Sequence, residues 1–108
     1  MSLMAVVAKL HEKRDLVGNT RRIVGVCDAE LLGKELKSGK LFLNLRNYRS
    51  FYEGKKVSPQ ELSLMLKRAY CINVVGEESI ELVSSIIDLD AGKAVKIGGV
   101  PHLQYYKL

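Results

Sequence analysis

Cysteine is scarce in this chain, long apolar runs are missing, and no spacing of His and Cys suits a metal ion. The two cysteines, Cys27 and Cys71, do not make a disulfide framework. A chain of 108 residues is long enough to bury its own core, so both thiols are expected reduced and partly buried. There is no CxxC, HExxH or paired-His pattern, so neither a metal nor another cofactor is implied. No apolar run approaches the roughly 20 residues that span a bilayer. The first residues lack a basic region and run into charge at Lys9, a poor match to a signal peptide. A cytoplasmic protein without membrane contact is the expectation. Residues 1–3 read as an expression remnant ahead of a natural start at Met4. With no repeat, low-complexity tract or linker, residues 4–108 read as one domain.

The composition is otherwise ordinary for a globular protein, 47% apolar and 27% charged. The charge is uneven. Residues 9–56 hold twelve Lys or Arg against six acids, a net of +6, whereas residues 57–108 hold five bases against six acids, a net of −1. A basic first part suits an anionic partner, RNA first; a solvated basic face is the plain alternative.

Residues 4–10 and 22–27 read as strands of a hairpin, with Gly18-Asn19 as the turn signal in the polar stretch between them. Asp28 is placed to cap a short helix over residues 29–36. Residues 41–45 alternate as a strand that should join the central sheet, and residues 46–56 read as a loop. The clearest local signal is Ser58-Pro59-Gln60-Glu61, a capping box with Pro at the first helical position. The helix it opens carries Leu62, Met65, Leu66 and Ala69 on one face. A short buried strand over 71–75, a helix over 77–87, and strands over 94–97 and 102–107 complete the pattern. The order β-β-α-β-α-β-α-β-β predicts an α+β fold, a two-layer single domain with a mixed sheet and about three helices.

Two familiar site patterns fail on inspection. Between Gly33 and Lys40 the glycine spacing is wrong for a phosphate loop and Leu41 stands where a hydroxyl is needed. Asp88, Asp90 and Gly92 begin like a calcium loop, but the position for its last acidic ligand is Gly99. Two other groups carry more weight. Cys27, Asp28, Asn73, Gly76, Glu77, His102 and Gln104 form a candidate polar site of polar or small residues at predicted strand ends, and all of them but Cys27 are expected to cluster on one rim of the sheet. Within that group, Cys27 at a helix start with His102 nearby would be an activated nucleophile; a core cysteine beside a capping Asp is the plain reading. Arg46, Tyr48, Arg49, Tyr52, Lys55 and Lys56 interleave bases with aromatics, a composition that suits single-stranded RNA.

Cys27-Asp28, Leu31-Leu32-Gly33-Lys34, Phe51-Tyr52-Glu53-Gly54, Asn73-Val74-Val75-Gly76-Glu77 and residues 97–104 together resemble the archaeal family of small proteins of unknown function called DUF424. The family's usual Pro-His-Ala-Gln stands here as Pro101-His102-Leu103-Gln104. The resemblance implies an archaeal cytoplasmic protein tied to translation or RNA handling, and it assigns no catalytic residue. The expected function is a non-catalytic RNA-associated binding protein. A small enzyme with a site around Cys27, Asp28 and His102, and an assembly subunit with a protein partner, are the alternatives.

Overall fold

The computed structural model describes residues 5–47 and 49–106, so the expected remnant at 1–3, the start at Met4 and the candidate Tyr48 lie outside the described residues. Strands β1 (Val6–Arg14) and β2 (Thr20–Asp28) form a hairpin paired without a break from Val6 opposite Asp28 to Arg14 opposite Thr20. The ladder runs further into polar sequence than expected. Asp15 makes this possible by organising the turn, its Oδ1 accepting from the backbone N–H of Val17 at 3.0 Å and of Asn19 at 2.9 Å.

After β2 the structure departs from the sequence reading. The helix expected over 29–36 is a single 3₁₀ turn, Ala29–Leu31, followed by strand β3 (Glu35–Ser38). Strand β4 (Leu41–Asn44) pairs with β3 in a separate two-stranded sheet and does not enter the central one. The reason is burial: Leu31, Leu36 and Leu45 all reach one apolar cluster over Cys27 and Val75, and that outweighs a weak local helix preference. The expected loop over 46–56 holds a one-turn helix α1 (Arg49–Tyr52) and a two-residue strand β5 (Lys55–Lys56).

From Ser58 onward the reading and the structure agree closely. Helix α2 (Pro59–Lys67) carries the full capping box: Ser58 Oγ accepts from the Glu61 N–H at 3.1 Å, and Glu61 Oε1 accepts from the Ser58 N–H at 3.3 Å. Strand β6 (Cys71–Val75) is buried along its whole length. Helix α3 (Glu77–Ser84), strand β7 (Val95–Ile97) and strand β8 (Val100–Tyr106) follow, the last two joined by the Gly98-Gly99 turn.

The central sheet has the order β5-β1-β2-β6-β8-β7, antiparallel throughout except for the β2–β6 pair. It is the mixed sheet of an α+β domain, with α2 and α3 layered on one face. There Leu62, Leu66, Ala69, Ile80 and Val83 pack on Val6, Ala8, Val24, Val26, Ile72, Val74 and Leu103. On the opposite face, Val7, Cys27, Val75 and Ile97 lie beneath Leu31, Leu36, Leu45 and Tyr52, brought by the β3–β4 hairpin and α1. Phe51 closes the end of this second layer. Its ring lies over Gly25 and stacks on His11 with centroids 4.5 Å apart and planes 10° from parallel.

Gly25 is what allows that approach. A Cβ there would stand 2.8 Å from the Phe51 ring and 2.9 Å from its carbonyl oxygen. Gly25→Val should therefore lift α1 off the sheet and destabilise the domain by about 1–3 kcal/mol, the usual cost of overpacking. Urea unfolding would measure the loss, and faster amide exchange across residues 49–52 would locate it.

Candidate functional site

The residues of the candidate polar site divide between the two faces of the sheet. Asp28, at the end of β2, turns to the helical face. Its buried carboxylate caps α3: Oδ1 accepts from the Ser79 N–H at 2.7 Å and from the Ser79 hydroxyl at 2.6 Å, and Oδ2 accepts from the Glu78 N–H at 3.3 Å. The 3₁₀ turn after Asp28 has no side-chain cap, because the carboxylate that was to cap it is committed to α3. Gly76 is the other half of the arrangement. Its φ of 108° lies in the region that favours glycine, and a Cβ would fall 2.2 Å from the Asp28 Cγ. Asp28, Gly76 and Glu77 line a small cleft of about 300 Å³ together with Glu30 and Glu78. Its excess of carboxylates repels anionic ligands.

Cys27, Asn73, His102 and Gln104 project to the other face. Cys27 lies beside Val75, Val75 beside His102, and Asn73 beside Gln104 in the ladders. Asp28 and His102 thus point to opposite sides, and the trio expected of an enzyme does not form a common site. Cys27 is fully buried, its Sγ donates to the Asp28 carbonyl at 3.3 Å, and burial pushes its thiol up to about 12. It is a core thiol, the reverse of an activated nucleophile. Cys71 is also free and buried, and burial raises its thiol as well. His102 and Gln104 line a broad cleft of about 780 Å³ beside Asp88, Asp90 and Lys93. Among the described residues no three His, Cys, Asp or Glu side chains come together to hold a metal ion.

The second candidate group fares no better as a continuous basic surface. Arg46 is paired with Glu35 at 2.5 Å, Arg49 with Glu53, and Lys55 with Glu61 at 2.7 Å. Each of these three exposed cations thus has a carboxylate partner within the chain. Tyr52 is buried in the second cluster, and burial raises its phenol well above the ordinary value, so it has no face for a base. Lys56 is exposed on the edge strand β5.

A different part of the same face carries basic and aromatic groups together. Beyond Phe51 no further helix or strand among the described residues lies over the sheet, and a groove of about 310 Å³ runs over Ile23 and the buried Cys71 and Asn73. Tyr70 and Tyr106 wall it, meeting edge to face with centroids 6.2 Å apart, and the Arg21 guanidinium lies 4.2 Å over the Tyr70 ring. Lys13 sits opposite Arg21 in the ladder, on the same side of the ribbon. Sequence reasoning missed this site because its residues come from four separated segments. Only the alternation of Tyr106 with Gln104 and His102 along one strand hinted at it.

A family model described as protein of unknown function (DUF424) matches residues 17–108 of the chain. The structure is also similar to the crystal structure of an uncharacterized conserved protein from Methanopyrus kandleri, with a TM-score of 0.74 and 27% identity over 94% of this chain and 90% of the other. A search of curated proteins finds no match. No helix among the described residues is long and apolar enough to cross a membrane.

Two outcomes follow from this geometry. Asp28→Ala leaves two backbone N–H groups and a buried hydroxyl without their acceptor, and should cost on the order of 3 kcal/mol in urea unfolding. His102 is half-buried, and burial pushes its imidazole below the ordinary 6.5, so the native ring is neutral where the unfolded chain already binds a proton. Its contribution to stability is complete above 6.5 and is lost as pH falls from there toward the lower native value. The urea midpoint should therefore drop as pH falls below 6.5, and drop less in His102→Gln.

Proposed function

This chain belongs to the DUF424 family, and we propose that it is a non-catalytic RNA-binding module that takes single-stranded RNA on the open end of its sheet. The observation that carries the reading is the Arg21–Tyr70–Tyr106 cluster in the uncovered groove. Tyr70 and Tyr106 keep 38% and 52% of their surface exposed, and with Arg21 over one face of Tyr70, Tyr106 is the more open ring for a base. Stacking on aromatic side chains, with cations beside them for the phosphates, is the usual chemistry by which unpaired bases are held. The reading moves the expected RNA contact from the Arg46 to Lys56 segment, where three of the bases have carboxylate partners and Tyr52 is buried, to a place where Lys13, with no such partner among the described residues, and Arg21, which shares the Asp15 carboxylate, stand beside exposed rings. Its setting would be the cytoplasm, in RNA handling or translation.

Salt dependence tests it. Binding of a labelled single-stranded RNA of mixed sequence, followed by fluorescence anisotropy, should weaken with a log–log slope of about −0.7 per phosphate neutralised. Replacing Lys13 and Arg21 together by Gln should flatten the slope by roughly two phosphates' worth. Tyr106→Ala should weaken binding by about 1–3 kcal/mol while leaving the slope unchanged, because stacking releases no counterion. Replacing Arg46, Arg49 and Lys55 by Gln should change the slope less than the Lys13 and Arg21 pair does. A wild-type slope near zero, or full binding by Tyr106→Ala, would overturn the reading.

A further inference from the structure

The β1–β2 hairpin ends in two apolar side chains that no described residue covers, Leu16 at 106% exposure and Val17 at 81%. Such residues at a loose loop tip would mean little. This tip is built. The Asp15 carboxylate accepts the N–H groups of Val17 and Asn19, the Asp15 N–H donates to the Asn19 carbonyl at 2.9 Å, and Gly18 N–H donates back to the Asp15 carbonyl at 3.1 Å. Arg21 secures the second carboxylate oxygen of Asp15 at 3.5 Å. The result is a stiff turn that presents Leu16 and Val17 outward.

The ribbon behind the tip is basic. Lys13, Arg14, Arg21 and Arg22 stand on its two strands, and among the described residues neither Lys13 nor Arg14 has a carboxylate within ion-pair distance. Lys13, Arg14 and Arg21 also line the groove walled by Tyr70 and Tyr106, so tip and groove form one continuous surface.

We propose that the hairpin tip is a wedge for the fork where single-stranded RNA emerges from a duplex. The inference rests on the RNA-binding reading above and adds the form of the ligand. Bases inside a duplex are paired and stacked, and cannot lie on Tyr70 or Tyr106; only an unpaired strand fits the groove. Where that strand leaves a duplex, the last base pair exposes an apolar face. Aliphatic side chains are suited to cover such a face or to enter a base step, while cations beside them meet the phosphates of the diverging strands. Leu16 and Val17 supply the first contact, Lys13 and Arg14 the second. The charge around the tip favours a polyanion over an apolar pocket on another protein.

Two RNAs test it: a single-stranded oligonucleotide, and the same strand extended at one end into a stem-loop, with 2-aminopurine in the last base pair of the stem. Wild-type protein should bind the extended RNA about tenfold more tightly and brighten the 2-aminopurine as that pair is unstacked. Replacing Leu16 and Val17 together by Ser should leave far-UV circular dichroism and affinity for the single strand unchanged, yet abolish both the preference and the fluorescence change. Leu16→Met with Val17→Ile should retain them. Equal wild-type affinity for the two RNAs, or a preference that survives the Ser substitutions, would overturn the wedge while leaving the groove reading intact. Absence of single-strand binding by wild type would overturn both. Tip-dependent binding to phosphatidylglycerol vesicles without a fork preference would also overturn it, assigning the tip to a lipid surface.

Discussion

The carboxylate of Asp28 ties this fold together. It sits at the end of β2, and β2 lies parallel to β6, with Cys27 beside Val75. The last residues of the two strands therefore finish at the same rim. Helix α3 begins two residues after β6 ends, so its first N–H groups open within reach of the Asp28 side chain. A negative charge at a helix N-terminus meets both unpaired N–H groups and the positive end of the dipole. Gly76 must be glycine for the turn to close this tightly, because any Cβ would displace the carboxylate. Once the start of α3 is pinned, Ile80 and Val83 fall on Val26, Val74 and Leu103, and the helical layer is set.

That commitment decides where function has room. Both full-length helices pack on one face, so among the described residues the other face takes its cover from the segment between β2 and α2. The β3–β4 hairpin and α1 cover the half that contains Cys27 and Val75, and Phe51 marks the limit of their reach by seating on Gly25. Past Phe51 the ladders of β1, β2, β6 and β8 continue without a covering layer among the described residues. The residues on that open stretch are Lys13, Arg21, Ile23, Cys71 and Tyr106, with Tyr70 folded over from the start of β6. The long basic ribbon of β1 and β2 then extends the open surface beyond the body of the domain. Stability thus resides around Asp28 and the two clusters, and recognition on the surface they leave bare.

Electrostatic pairing, which a sequence does not display, redistributes the apparent charge. Residues 9–56 look uniformly rich in bases, yet Arg46, Arg49 and Lys55 face Glu35, Glu53 and Glu61. Glu35 is eleven positions from Arg46 and becomes its neighbour only because β3 and β4 pair. Near the hairpin tip Arg21 and Arg22 likewise face Asp15 and Glu12, whereas Lys13 and Arg14 have no carboxylate within ion-pair distance among the described residues.

The sequence by itself determined the elements whose signals are local. The capping box at Ser58 and the apolar face of Leu62, Met65, Leu66 and Ala69 specify α2, because cap, Pro and periodicity lie within a dozen residues and agree. The all-apolar run of β6 and the glycine turn between β7 and β8 are legible for the same reason, as is the α+β class they sum to. Only the tertiary structure decided the rest. Asp28 is a sound cap by residue type, but which helix it caps depends on strands 43 residues apart coming to lie side by side. Residues 29–36 have a modest helix preference that is worth less than burying Leu31 and Leu36 against Cys27, so they become a turn and a strand. The open groove was unreadable because period-2 alternation says which residues share a face, and never whether another layer covers it. Coverage depends on the path of the whole chain between β2 and α2, and no local residue preference contains it.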